Sequence, residues 1–200
     1  RALRSDARPI CNGPECVASP VDGTVSQLGD IEDGRIFQAK GHHFDLTTLL
    51  GGKHADATAF EQGSFATLYL SPKDYHRIHI PLNARLRRMI YVPGRLFAVK
   101  PSTVRTVPGL FARNERVVCL FDSDAGPMAV ILVGAIFVGS IETVWAGELT
   151  PARPRVAAEW DYVDQPAAFS KGDEIGRFNM GSTVVLLFAK DRTSWAEDLQ

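Results

Sequence analysis

The sequence predicts a mainly β protein of the α+β type, a single domain of antiparallel strands with a few short helices. Short runs rich in β-branched and aromatic residues recur along the chain, and turn sequences such as "DIEDG", "YVPG" and "DSDAG" separate them. Its 200 residues, 45% of them hydrophobic and 22% charged, suit one globular domain, residues 1–200, with a core of its own.

The first third of the chain alternates strand and helix signals. Thr24–Gly29 and Arg35–Lys40 flank "DIEDG", which predicts a β-hairpin. Phe44–Leu50 and Ala55–Glu61 have the pattern of short helices, and Ser64–Leu70 is the next strand.

Strand signals dominate the rest of the chain. Five of them are bounded by Gly, Pro or Asp, and they lie at Arg85–Val92, Leu96–Lys100, Arg116–Asp122, Met128–Val138 and Ser140–Ala146. The third and fourth are expected to pair across "DSDAG". Prolines make 148–170 the region with the weakest signals for regular secondary structure. The last strand, Val184–Phe188, is apolar at consecutive positions, which predicts cover on both faces.

Charge and cysteine content exclude several classes of protein. A formal net charge of -1 means that the chain has no overall excess of basic residues, so no nucleic-acid partner is expected. Cys11, Cys16 and Cys119 are too few for a disulfide framework and lack a metal-ligand spacing, so they are expected to be ordinary thiols in a reducing compartment. No window approaches the roughly 20 apolar residues of a membrane span.

The segment "DYHRIH" contains two histidines, His76 and His79, three positions apart. On a helix they would share a face and suggest a zinc pair. Ile78, Ile80 and Pro81 instead indicate an extended segment, in which the two side chains point to opposite faces. We therefore expect no metal site, and different tasks for the two histidines.

The stretch "GRFNMGSTVVLLF" introduces the last strand with Gly181 and Ser182. A glycine there indicates a bulge, a turn or a close approach of backbone. Ser182 is either part of a turn or a nucleophile held on a strained backbone. Asp22, in "SPVDG", is by itself typical of a turn.

Several stretches together resemble a known family. They are "SPVDGTVSQLG", "QAKGHHF", "YLSPKDYHRIHIP", "MIYVPGRLFAV", "LFARNERVVCLFD", "GPMAVILVGAIFVGSIETVWAG" and "GRFNMGSTVVLLF". Their order is similar to that of the bacterial, prokaryotic type I, pyruvoyl-dependent phosphatidylserine decarboxylases, and the likeness extends from Ser19 to Phe188. Met180 replaces the leucine most frequent in the family, a volume-conserving change. The family's N-terminal membrane-associating segment is absent from this sequence.

The resemblance implies that the chain cuts itself between Gly181 and Ser182. The products would be residues 1–181, the β chain, and residues 182–200, the α chain, with Ser182 converted to a covalent pyruvoyl cofactor. By the same resemblance, Asp22, His79 and Ser182 form an Asp-His-Ser arrangement in which His79 is the base and Asp22 orients it. His76 matches a histidine associated with the substrate headgroup and with decarboxylation.

The function implied by the resemblance is conversion of phosphatidylserine to phosphatidylethanolamine with release of CO₂, in phospholipid biosynthesis. Its partners would be phosphatidylserine in the membrane and the chain's own cleaved fragment, and a homodimer is compatible. The location implied is the cytoplasmic side of the bacterial membrane, as a peripheral protein. Two alternatives stay open: a pyruvoyl-dependent decarboxylase of another amino-acid substrate, and a non-catalytic lipid-binding β module.

Overall fold

A computed structural model describes residues 7–11, 13–136, 140–150, 155–179, 181–196 and 199. The described strands are β1 Thr24–Asp30, β2 Arg35–Ala39, β3 His42–Asp45, β4 Ser64–Leu70, β5 Arg77–His79, β6 Ala84–Val92, β7 Arg116–Ser123, β8 Gly126–Val133, β9 Ile141–Thr143, β10 Gly147–Glu148, β11 Ala158–Asp161, β12 Ala168–Phe169, β13 Glu174–Phe178 and β14 Ser182–Phe188. The described helices are α1 Leu46–Leu49, α2 His54–Thr58, α3 Pro101–Val104 and α4 Leu110–Arg113. The predicted fold class is confirmed: antiparallel strands dominate one domain, and the helices are short.

The main sheet has eight strands in the order β1-β4-β14-β8-β7-β6-β11, with β12 also paired to β6. The hairpin predicted across "DSDAG" is present as β7 and β8. The strand that comes last in the chain, β14, lies between β4 and β8 and pairs antiparallel with both. The end of the chain therefore occupies the middle of the sheet.

Both faces of the main sheet are covered, as the apolar run in β14 predicted. On the inner face, Val184, Leu186 and Phe188 pack with residues of a second sheet, whose order is β10-β9-β13-β5. On the outer face, Val185 and Leu187 pack under β2, β3, α1 and α4. All seven residues of β14 are buried.

The predicted hairpin between the first two strands is wrong. β1 pairs with β4 in the main sheet, whereas β2 pairs with β3 in a separate two-stranded sheet. The turn itself forms, because Glu32 and Arg35 exchange backbone hydrogen bonds of 3.2 and 2.8 Å. Beyond it the strands diverge, since Ile36 is buried in the outer cluster while β1 runs along the edge of the main sheet.

Several further elements differ from the prediction: β8 ends at Val133, β9 covers only Ile141–Thr143, and α2 spans His54–Thr58. Leu96–Lys100 is not a strand, because the side-chain amide of Asn114 bonds the backbone N–H and C=O of Phe97, at 3.0 and 2.9 Å, in place of a neighbouring strand. The helix expected from Phe44 begins two residues later, where the Asp45 carboxylate accepts the Thr48 N–H at 2.6 Å. The last two residues of the predicted Met128–Val138 strand, 137 and 138, lie outside the described residues.

The expectation that all three cysteines are ordinary thiols is also wrong. Cys11 and Cys16 are joined by a disulfide, and Cys119 is free and buried. A turn in which the Cys16 N–H donates to the Gly13 carbonyl at 3.2 Å brings the two sulfurs together. The bridge closes a small loop next to the site described below.

Candidate active site

Ser182 is the first residue of β14 and pairs with Leu70 of β4. Its side chain is completely buried, and its hydroxyl has no hydrogen-bond partner among the described residues. The hydroxyls of Thr67 and Thr183, on the opposite face of the sheet, are also buried and have no hydrogen-bond partner among the described residues. Burial alone therefore does not distinguish Ser182 from these two threonines, and any distinguishing feature must lie in the residues around it.

The first feature that distinguishes Ser182 from these threonines is the residue before it, Gly181. A Cβ built on this residue would lie 3.2 Å from Cγ of Pro72 and 3.3 Å from the backbone oxygen of Leu70. These distances are shorter than most real Cβ contacts, so the backbone approaches this turn more closely than a larger residue would allow. The Gly181–Ser182 bond thus packs against the turn that links β4 to β5.

Asp22 and His79 line one cavity of about 120 Å³, together with Pro20, Tyr75 and Gly172. The backbone N–H of His79 donates to the Pro20 carbonyl at 2.8 Å, and this bond joins β5 to the segment that contains Asp22. Sequence reasoning had named both side chains, and the fold brings them to the same place although 57 positions separate them.

The imidazole of His79 is held at both nitrogens. Nδ1 lies 2.7 Å from the carbonyl oxygen of Gly172, and Nε2 lies 3.0 Å from the hydroxyl of Tyr75. Because a carbonyl can only accept, Nδ1 must carry the proton, and Nε2 of the neutral ring then accepts from Tyr75. The two rings also stack, with centroids 5.8 Å apart and an interplanar angle of 22°.

The carboxylate of Asp22 is bound by Arg8. Nε of Arg8 donates to the two carboxylate oxygens at 2.9 and 2.8 Å, and this hydrogen-bonded pairing raises the pKa of the guanidinium. The hydrogen bonds of Asp22 therefore run to Arg8, whereas those of the His79 ring run to Gly172 and Tyr75.

His76 lines a second cavity, of about 460 Å³, with Tyr75, Arg77, Arg177 and Asn179 among its walls. Nδ1 of His76 lies 2.6 Å from the Asp74 carbonyl, and Nε2 is buried with no partner among the described residues. Placement of the two histidines in different cavities agrees with the extended interpretation of "DYHRIH". Tyr75 borders both cavities.

The positive charges of the second cavity are matched by carboxylates. Arg77 bonds Glu174 at 2.5 Å, which raises the pKa of the guanidinium, and Arg177 bonds Glu142 at 2.7 Å. Within the described part of the chain, no group of three or more His, Cys, Asp or Glu side chains is arranged to hold a metal ion.

Sequence reasoning missed three contributors to the site: Arg8, Tyr75 and Gly172. Tyr75 stands inside the quoted "DYHRIH", and its spacing from His79 was the one available signal. Gly172 acts through its carbonyl, and a backbone group leaves no residue-type signature. Its φ of +92° and the position of Ile10, 2.1 Å from a built Cβ, explain why a glycine stands there.

The fold and the site together define a β-rich domain with a buried serine at the head of its central strand and two histidines in adjoining cavities. Comparison with known proteins gives the family. The family model described as phosphatidylserine decarboxylase matches residues 1–199. The chain belongs to the phosphatidylserine decarboxylase family.

Similar proteins carry the name "Phosphatidylserine decarboxylase proenzyme". One from Azotobacter vinelandii is 57% identical, over 100% of this chain and 70% of that protein. One from Shewanella amazonensis is 59% identical over 96% of this chain and 68% of that protein, and one from Stutzerimonas stutzeri is 57% identical over 100% and 68%. The chain thus spans about two thirds of the length of these relatives, and its predicted family is confirmed.

Proposed function

We propose that this family member is a self-processing, pyruvoyl-dependent enzyme that converts phosphatidylserine to phosphatidylethanolamine and CO₂. The observation that carries the proposal is the Gly181–Ser182 bond, which precedes a fully buried serine hydroxyl and packs against Pro72. The relatives are named as proenzymes, which fits a chain that must be cut before it acts.

Self-cleavage would use the chain's own groups. Oγ of Ser182 attacks the carbonyl carbon of Gly181 and gives up its proton to His79. His79 returns this proton to the amide nitrogen of residue 182 as the C–N bond breaks, which leaves an ester and a free amine. Removal of the Cα proton of residue 182 then breaks the Cβ–O bond, which releases the Gly181 carboxylate and leaves dehydroalanine. Addition of water and loss of ammonia give a pyruvoyl group at position 182, on the fragment 182–200.

The family resemblance gives Asp22 the role of orienting the base. In this structure Arg8 binds its carboxylate and Nδ1 of His79 bonds the Gly172 carbonyl, so this role requires the carboxylate to move from Arg8 to the ring. An Asp-His-Ser triad is defined by the role of each side chain and not by the order of the residues in the sequence, so the order Asp22, His79, Ser182 is compatible with it. A base that activates a serine hydroxyl accounts for a factor of roughly 10²–10⁴ in rate.

The position of Ser182 suits a group made from the chain itself. Its backbone is fixed by pairing with β4, its side chain is excluded from water, and no larger cofactor has to be accommodated. The pyruvoyl group, when formed, supplies an electron sink for the electrons left by the departing carboxylate. His76, with Nε2 uncommitted, would bind the headgroup and move a proton there.

The substrate places the reaction at a membrane. We propose a peripheral protein on the cytoplasmic side of the bacterial membrane, acting on phosphatidylserine with the cleaved fragment 182–200 still in place, and a homodimer as its assembly. None of the helices in the described part of the chain is long and apolar enough to cross a membrane.

The alternatives are less well supported. A decarboxylase of a soluble amino acid would share the self-cleavage, but the relatives at 57–59% identity carry the name of the lipid enzyme. A non-catalytic lipid-binding module would have no need to carry Asp22, His79 and Ser182 in one sequence.

Cleavage is tested by the intact mass of purified protein. Wild-type protein is expected to give fragments 1–181 and 182–200, with one water gained and one ammonia lost relative to the whole chain. Ser182→Ala should stay whole. The control Thr67→Val, which removes another buried hydroxyl that has no hydrogen-bond partner among the described residues, should be cut normally. A folded wild-type chain that stays whole on long incubation contradicts the proposal.

Substrate choice is tested on the cut enzyme. CO₂ release from phosphatidylserine in mixed micelles is expected, with little from free serine or phosphoserine. Faster turnover of a soluble compound would favour the first alternative. Cut protein that releases no CO₂ from any of the three would contradict both enzyme functions.

A further inference from the structure

Two arginines stand directly opposite each other at the second cavity. Arg177 of β13 and Arg77 of β5 are register partners in an antiparallel pair, and both line this cavity of about 460 Å³. Opposite residues of such a pair share one face of the sheet, and like charges placed there destabilise the pairing. The arrangement is therefore stable only where negative charge lies close to the two guanidiniums.

Two glutamates supply negative charge from positions that do not line the cavity. Nη1 of Arg77 bonds Glu174 at 2.5 Å, and Nε and Nη2 of Arg177 lie 2.7 and 2.6 Å from one carboxylate oxygen of Glu142. Among the described residues, the two guanidiniums make no other hydrogen bond. Because each guanidinium has five N–H donors, donors on both arginines remain available to a ligand.

The described wall of the cavity carries more positive than negative charge. Its charged side chains are Arg77, Arg177 and Asp74. The Asp74 carboxylate accepts the backbone N–H of Ser71 at 2.7 Å, so one of its oxygens is committed to the turn before β5. With a neutral His76, two guanidiniums and one carboxylate leave an excess of one positive charge. Such a wall favours a ligand with one negative charge.

The cavity also adjoins the proposed cleavage site. Pro72 lines the cavity, and a Cβ built on Gly181 would lie 3.2 Å from Cγ of Pro72. Asn179, two positions before Gly181, is another wall residue. The cavity and the Gly181–Ser182 bond therefore have Pro72 as a common neighbour.

We infer that Arg77 and Arg177 form a subsite for the phosphate of the substrate headgroup. The inference rests on the proposed function and adds to it the groups that recognise the phosphodiester. The single negative charge of a phosphodiester equals the excess positive charge of the wall, and the planar fork of a guanidinium matches phosphate oxygens. No bond forms or breaks at this subsite.

The subsite also gives the headgroup a direction. In a serine phosphodiester, one oxygen and two carbon atoms separate the phosphorus from the amine. A phosphate held by the two arginines can therefore extend its amine around Pro72 toward residue 182, where the pyruvoyl group would form. His76, on the wall of the same cavity, would lie beside the headgroup.

Binding is measured on uncut Ser182→Ala protein, with glycerophosphoserine, the deacylated headgroup, as the probe in a calorimetric titration. Arg177→Gln and Arg77→Gln should each weaken binding by about 10-fold or more, because each removes a charge-assisted hydrogen bond. Arg87→Gln is the matched control, since this arginine pairs with Asp122 at 3.2 Å in another cavity. It should bind the probe as the parent protein does.

Glu142→Gln separates recognition from a structural role of the ion pair. It breaks the same pair as Arg177→Gln but leaves the guanidinium in place, so binding of glycerophosphoserine should stay the same or tighten. If Glu142→Gln weakens binding as much as Arg177→Gln does, the arginine serves the sheet and not the ligand, and the inference is wrong.

A titration with inorganic phosphate distinguishes the headgroup from a free anion. Binding of inorganic phosphate but not of glycerophosphoserine would indicate a free-phosphate site and would overturn the inference. Glycerophosphoserine that does not bind the Ser182→Ala parent, or that binds both arginine variants as tightly as the parent, would also overturn it. Since none of these titrations requires cleavage, such results leave the proposed function standing, which fails separately if the wild-type chain is never cut.

Discussion

Leu187→Ala tests whether β14 holds the fragment 182–200 in place after cleavage. Leu187 is completely buried on the outer face, between Phe65 of β4 and Ala129 of β8. Truncation removes three carbon atoms and leaves a cavity in a sheet that is fixed on both sides. The backbone pairing of the strand is unaffected, so the change isolates side-chain packing.

The expected loss can be estimated from this burial. A buried Leu→Ala substitution lowers the free energy of unfolding by about 2–5 kcal/mol, according to how far the site collapses. Once the chain is cut, the same loss applies to the association of the two fragments. At about 1.4 kcal/mol per factor of ten, the association of fragment 182–200 with the rest of the protein weakens roughly 30- to 4,000-fold.

Urea unfolding of cut and uncut protein measures both quantities. In the uncut Ser182→Ala background, Leu187→Ala should lower the urea midpoint by an amount that does not depend on protein concentration. In the cut protein the midpoint should also fall on dilution, because unfolding there separates two fragments. Lys190→Ala is the control, because this exposed side chain has one hydrogen bond, to Gln62 at 2.9 Å, and should change stability by less than about 0.5 kcal/mol.

Two results would refute this reasoning. One is a Leu187→Ala protein whose unfolding free energy matches that of the control. The other is a wild-type fragment 182–200 that separates from 1–181 on gel filtration without denaturant, since a strand paired on both edges should stay in the sheet.

Three further outcomes are expected. His76→Ala should be cut normally yet lose roughly 10²-fold or more of its CO₂ release, because we propose that Nε2 of His76 moves a proton in the second cavity; failure to cleave would refute this division of tasks. Asp22→Asn should slow cleavage without unfolding the domain, and normal processing, measured on gels, would exclude the carboxylate from the reaction. Burial raises the pKa of the Cys119 thiol, so the unfolded chain ionises above about pH 9 while the folded chain does not. Stability should therefore fall by about 1.4 kcal/mol per pH unit above that value, and urea titrations of Cys119→Ala should lack this contribution.

Local patterns predicted the elements whose partners are adjacent in the chain. The β7–β8 hairpin and the doubly covered β14 follow from turn residues and apolar runs. The pairing of β1 could not be predicted, because its turn is compatible with a hairpin and only the burial of Ile36 in another layer draws β2 away. The disulfide depends on a loop conformation that its five-residue separation does not specify.

The site divides in the same way. Gly181, Ser182, Asp22 and the two histidines stand in motifs, so the resemblance could point to them. Arg8 has no distinctive neighbours, and its bond to Asp22 depends on the path of the N-terminal segment. Contacts made through a backbone carbonyl, such as that of Gly172, are properties of the fold and not of a residue type.

The central place of β14 also sets an order of events during synthesis. Until the last strand leaves the ribosome, β1 and β4 have no neighbour that joins them to β8, β7, β6 and β11, and the sheet exists as two separate halves. Ser182 heads the strand that joins them, so its hydroxyl is enclosed only when the whole domain has been made. Under the proposed function, cleavage would then report that folding is complete, and a chain that stops early or folds wrongly would never acquire a reactive carbonyl.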